Sequence, residues 1–154
     1  AYENGSDMDA RRNMLKASFY AGCAFTKSYV GYVHAVAHSL GGQYNVPHGL
    51  ANAILLPFVL ESYGKSIHKK LYRLAVEAQI ADKDTPYDVA AANFIDAISK
   101  MKKRFNIGNT IPEIQEEDIV KLSHYADKEA NPLYPVPVLM NAKELEQFYY
   151  LLME

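Results

Sequence analysis

The chain has 154 residues, 49% of them hydrophobic, and its 16 Lys or Arg against 18 Asp or Glu leave a formal net charge of −2. That is one domain by size, with apolar content for a core burying roughly 70% of what the unfolded chain exposes; a disordered chain and a nucleic-acid footprint are both excluded. The single cysteine, Cys23, rules out an internal disulfide and fits a reducing, cytoplasmic setting, and no apolar run reaches the ~18 residues that cross a bilayer.

The first residues do not read as a signal peptide. Ser6 and Asp9 have capping-box spacing ahead of a first helix, Met8 to Phe25, whose apolar residues suit packing on more than one side. Cys23 within it reads as a small buried hydrophobe. Lys27-Ser28 reads as a bend. A second helix carries His34 and His38 and is expected to stop at Gly41-Gly42, because glycine tolerates the left-handed C-cap. Asn45 and Pro47 are turn or cap residues. A third helix starts near His48 and runs to Tyr63, closed by Gly64, with Pro57 inside it as a source of a kink.

Lys65 to Gln79 reads as a fourth helix, with Ile67, Leu71, Leu74-Ala75 and Ala78 inward. Thr85-Pro86 opens a fifth, to about Phe105, with Val89, Ala92-Asn93, Ile95-Asp96 and Ile98-Ser99 on its inner side. The basic run Lys100 to Arg104 lies at its end, where solvated cations complement the helix dipole. A loop spans Ile107 to Ile114. Glu116 to Glu129 is a sixth helix with Ile119, Leu122 and Tyr125-Ala126 inward. Three prolines keep Asn131 to Val138 extended, and Asn141 with Glu144 caps a last helix to Leu152. The expected fold is an all-α bundle of six or seven helices, with no clear strand.

Chemistry concentrates between Gly31 and Pro57, GYVHAVAHSLGGQYNVPHGLANAILLP, which holds three of the five histidines. His34 and His38 are four residues apart and share one helix face. His48 stands at the mouth of the next helix. A helix, a glycine break and a histidine opening a second helix aim His34 and His48 at one point, as in part of a metal site built from imidazole nitrogens. A lone histidine, or a pair at this spacing without a glutamate between, is weak evidence. The full pattern HxxxHxxGxxxxxxHG is far more specific. Ser39 lies on the wrong face for a nucleophile, and there is no GxSxG.

That pattern resembles the iron-binding signature of the group III, iron-containing alcohol dehydrogenases. Ala21-Gly22, Ala24-Phe25, Gly31-Tyr32-Val33-His34-Ala35, Tyr44-Asn45-Val46-Pro47-His48-Gly49, Asn52-Ala53 and Leu55-Leu56-Pro57 carry the likeness, and Asn131-Pro132 is similar to the family's C-terminal region. The resemblance implies the C-terminal helical domain of the dehydroquinate synthase-like and iron-containing enzymes. It implies His34 and His48 as metal ligands, and His38 as a catalytic hydrogen-bonding or proton-relay group beside substrate and nicotinamide. It further implies a divalent ion acting as a Lewis acid, usually iron, with zinc or nickel as alternatives, and NAD or NADP as hydride carrier. Tyr32, Tyr44 and Phe25 are expected to wall the cleft, and His68 and His124 to lie at the surface.

Residues 1–154 are expected to lack the family's N-terminal nucleotide-binding domain and its upstream Asp and His, so this stretch alone should be inactive. The expected partners are a small alcohol or aldehyde and that nucleotide-binding domain, with a self-associating face near the three histidines and neither nucleic acid nor membrane. Two rivals stand beside this reading. One is a zinc-dependent relative resembling glycerol dehydrogenase or dehydroquinate synthase. The other is a helical binding or scaffold domain without catalysis.

Overall fold

The computed structural model describes residues 1–153, and among them there are seven α-helices, two 3₁₀ turns and no strand. The chain forms two compact units, Ala1–Val30 and the remainder from Gly31. No described helix is long and apolar enough to cross a membrane.

The first unit is one helix, α1 (Met8–Ser28). Its cap is Asp7, not Ser6: the Asp7 carboxylate accepts from the backbone N–H of Asp9 at 3.0 Å and of Ala10 at 2.9 Å. Asp9 instead pairs with Arg12 at 2.6 Å. The helix does not bend at Lys27-Ser28. The Thr26 and Ser28 hydroxyls donate to Gly22 and Ala24 carbonyls at 2.7 and 3.0 Å, one turn back, and the break comes at Tyr29, φ 60°. The expected burial is absent, since no residue of α1 is buried and Cys23 is exposed. A unit of one helix has no second element to bury its apolar side chains against.

The second unit holds the core. Helix α2 (Tyr32–Tyr44) packs on α3 (His48–Tyr63) and on α6 (Ile119–Ala130), while α7 (Ala142–Met153) packs on α6 and α3. A second layer, α4 (His68–Glu77) against α5 (Tyr87–Arg104), joins through α3. The central side chains are Val36, Leu40, Ile54, Leu55, Ile119, Leu122, Leu145, Phe148 and Leu152, all essentially inaccessible. Together they remove apolar surface from water at roughly 25 cal/mol per Å².

Local signals placed several ends correctly. Gly64 closes α3 at φ 50°. Asn141 and Glu144 make a reciprocal capping box, with Asn141 N–H to the Glu144 carboxylate at 2.8 Å and Glu144 N–H to Asn141 Oδ1 at 3.1 Å. Others shifted. The α2 helix runs through Gly41-Gly42, and the left-handed cap is Asn45, φ 57°, its N–H returning to Gly41 O. Glycine within a helix costs up to ~1 kcal/mol, and a Cβ on Gly41 would make only an ordinary 3.5 Å contact with the Val46 carbonyl, so packing does not demand glycine there. A 3₁₀ turn, Gly64–Ser66, precedes α4, and another, Glu116–Asp118, precedes α6. Pro86 rather than Thr85 stands at the start of α5, and Thr85 Oγ1 accepts from Asp82 N–H at 3.0 Å.

The inner face of α5 is displaced from the expected one. Ala90 and Ala91 are buried, while Val89, Ala92, Asn93, Asp96 and Ser99 are exposed. Leu74 in α4 and Ala78 just past its end face solvent; in α6, Tyr125 does. Lys102, expected in a solvated run, is 5% exposed. Its ammonium donates to Asn109 Oδ1 at 2.9 Å and lies 5.7 Å above the Phe58 ring. Burial holds that ammonium below its ordinary pKa.

Candidate metal centre

Three histidines meet where α2 faces the start of α3. Their placement begins with backbone: α2 presents His34 and His38 one turn apart, and Asn45 reverses the chain so that Pro47 and His48 open α3. Pro47 needs no N–H partner at a helix start. The ring centres are 5.8 Å apart for His34–His38, 5.4 Å for His34–His48 and 5.1 Å for His38–His48. With nitrogen–metal bonds of about 2.0–2.1 Å, two imidazoles on one tetrahedral ion have centres on the order of 5 Å apart.

The ring planes differ between the pairs. His34 and His48 are tilted by 51°, so their in-plane lone pairs can converge on one point. His38 stacks on His48 with 21° between planes, and lone pairs in two near-parallel stacked planes do not meet at one ion. Among the described residues no group of three or more His, Cys, Asp or Glu is arranged to hold a metal ion. The imidazole pair therefore fits a dication as a partial ligand set, of the nitrogen type that iron, zinc and nickel all accept.

Electrostatics favours the neutral, lone-pair form of His34. Burial is the main cause that lowers its pKa, and the neighbouring His48 and His38 add to it, against an opposite pull from Glu129. His48 is steadied by Asn52 one turn on. The Asn52 Nδ2 donates to the His48 carbonyl at 2.9 Å and lies 3.0 Å from the ring Nε2. Asn52 Oδ1 is buried without a hydrogen-bond partner among the described residues, an acceptor left open beside the proposed ligand.

The residue that sequence reasoning missed is Glu129. Its Oε1 lies 2.7 Å from His38 Nδ1 across 91 positions of sequence, and accepts from the Tyr134 hydroxyl at 2.9 Å. Burial first, then this bond to Glu129, pushes the Tyr134 phenol up to about 12, so the phenol stays a donor. A cleft of about 320 Å³ opens beside His38, bordered also by Gln43, Leu122, Tyr125 and Glu129.

Tyr32 does not wall this cleft. It is fully buried, its hydroxyl bonded to Asn131 Oδ1 and to both backbone groups of Met140. Tyr44 turns instead to Asp118, and Phe25 is exposed in the first unit. His124 is exposed as expected, while His68 is half-buried on the border of a separate cleft between α3, α4 and α5.

Comparison with known proteins agrees with this architecture. The family model described as Fe-containing alcohol dehydrogenase family, C-terminal, matches residues 1–153. Alcohol dehydrogenase 4 of Saccharomyces cerevisiae is 36% identical over 84% of this chain and 34% of its own length. The 1,3-propanediol dehydrogenase of Citrobacter freundii is 34% identical over 94% of this chain and 38% of its own. Among solved structures, 1,3-propanediol oxidoreductase superposes with a TM-score of 0.86 at 32% identity, covering 95% of this chain and 38% of that one. An alcohol dehydrogenase from Oenococcus oeni gives 0.86 at 30% identity, over 96% of this chain and 39% of that one. The chain thus spans little more than a third of the length of these relatives.

Proposed function

This chain belongs to the Fe-containing alcohol dehydrogenase family, whose C-terminal portion it matches, and on that premise we propose that it is the metal-holding domain of a cytoplasmic, NAD(P)-linked alcohol dehydrogenase interconverting small alcohols with aldehydes or ketones. The observation that carries the reading is the approach of His34 and His48, on separate helices, at 5.4 Å between ring centres with planes open by 51°. These two residues are the proposed metal ligands. When bound, a divalent ion, iron in the family's description, supplies the Lewis acidity that polarises a substrate oxygen.

The chain's own residues supply the rest of the local chemistry. His34, kept neutral by burial, offers a nitrogen lone pair rather than a charge that repels a dication. Asn52 ties the backbone carbonyl of His48 from the following turn. His38, turned out of the converging pair, is the group placed to take or return a hydroxyl proton.

The nicotinamide site is assigned to a nucleotide-binding domain outside this sequence, which has no Gly-x-Gly-x-x-Gly loop of its own. The test is elemental mass spectrometry together with aldehyde-dependent NAD(P)H oxidation, on the protein that carries this domain with its nucleotide-binding portion. Metal and turnover that both disappear in His34→Ala and His48→Ala support the reading. Metal retained in both variants overturns it.

A further inference from the structure

Glu129 stands out because no local sequence signal marks it, yet among the described residues it is the one carboxylate bonded to a histidine of the cluster. Its Oε1 lies 2.7 Å from His38 Nδ1, a length typical of a charge-assisted bond to a carboxylate. The same oxygen accepts from Tyr134 at 2.9 Å. Both partners therefore hold this carboxylate in place.

A neutral imidazole has one N–H and one lone pair, and which nitrogen carries which is set by the partner of the other. A carboxylate can only accept, so the nitrogen facing Glu129 must be the donor. We propose that Glu129 is the positioning residue of His38: it takes the Nδ1–H, locks the neutral ring in that tautomer, and leaves Nε2 as the bare nitrogen that handles the substrate proton. The catalytic half of this statement rests on the dehydrogenase reading above. The tautomer half rests on the geometry alone.

The frame around the pair is stiff. Ser39, next to His38, is bonded to the Tyr149 hydroxyl at 2.7 Å, and that hydroxyl donates to the Leu122 carbonyl of α6 at 3.0 Å. Helices α2 and α6 are thus tied through Tyr149 of α7, one residue from His38 on α2 and two turns before Glu129 on α6. The pair itself is half exposed, 42% for the His38 side chain and 33% for Glu129. Substitution of Glu129 therefore disturbs the contact without opening the core.

The decisive measurement is long-range ¹H–¹⁵N correlation of the histidine side chains in this chain, at a pH where His38 is neutral. The expected result for the unsubstituted chain is protonated Nδ1 and bare Nε2 at His38. In Glu129→Ala that preference should be lost to a mixture of the two forms. Glu129→Gln, whose amide oxygen still accepts, should restore it, as should Tyr134→Phe, which leaves the carboxylate. A His38 carrying its proton on Nε2 in the unsubstituted chain overturns the proposal, and no variant's folding bears on that reading. So does an unchanged tautomer in Glu129→Ala, or a Glu129→Gln variant that behaves like Ala.

In the enzyme carrying this domain, Glu129→Ala should lower kcat on the order of tenfold, as loss of an orienting partner does, with KM little changed and recovery in Glu129→Gln. The two readings fail separately. The expected tautomer without dehydrogenase turnover removes the enzyme assignment and leaves Glu129 holding His38. Turnover with protonated Nε2 on His38 does the reverse.

Discussion

The Tyr44 hydroxyl donates to Asp118 Oδ2 at 2.8 Å and ties the last turn of α2 to the 3₁₀ turn that opens α6. Gln43 donates to the same oxygen at 3.0 Å, and Lys121 to the other at 2.7 Å. Lys121 first, then Tyr44, holds the Asp118 carboxyl below its ordinary value of 3.8. A carboxylate depressed by folding stabilises the native state above its unfolded pKa, and the contribution fades as pH falls through the folded one. Asp118→Ala should therefore lower the urea midpoint at neutral pH, and the two proteins should converge as the pH is taken below 3.8. A gap of constant size down to the acid limit would show that the carboxylate charge is not the cause.

Tyr32 is the buried hub of the C-terminal segment. Its hydroxyl accepts from Met140 N–H at 2.9 Å and bonds Asn131 Oδ1 and the Met140 carbonyl, each at 3.0 Å. Tyr32→Phe keeps the ring and leaves the Met140 N–H unpaired in the interior. The expected cost is about 1–3 kcal/mol in denaturant unfolding. A Phe variant as stable as the parent would mean that water replaces the hydroxyl.

Asn45 carries the reversal that brings His48 back toward His34, at φ 57°. Glycine adopts this conformation without strain, whereas a β-branched residue pays roughly 1–2 kcal/mol. Asn45→Gly should leave thermal stability and metal uptake nearly unchanged. Asn45→Val should lower both. Equal behaviour of the two variants would show that the left-handed cap does not govern the approach of the histidines.

Residues 1–154 prepared alone should hold iron weakly, because two neutral imidazoles bring no negative charge and iron(II) is early in the affinity order. Nickel or zinc in excess should bind through His34 and His48, and both His→Ala variants should elute early from immobilised nickel. No alcohol-dependent NAD(P) reduction is expected from this stretch by itself. Tight stoichiometric iron with turnover would show the ligands to be elsewhere. In the protein with its nucleotide-binding portion, His38→Ala should cut turnover and leave the metal in place.

Much of this molecule is written locally. The helix ends at Gly64 and at Asn141 with Glu144, and the four-residue step from His34 to His38, follow from conformational preference and side-chain reach within a few residues. So does the motif around His48, whose spacing marks it as a unit. What the sequence left open are matters of which surfaces meet. Helical periodicity says that a face is apolar, but an alanine-rich helix such as α5 offers several nearly equal faces, and packing against α3 and α4 selected Ala90 and Ala91. Lys102 is buried because Asn109 and Phe58 receive it, and Tyr32 because Met140 lies 108 positions away. Glu129 reaches His38 across 91 positions. Each of these depends on two distant segments being held together, and that is decided only when α2, α3, α6 and α7 close on a common core.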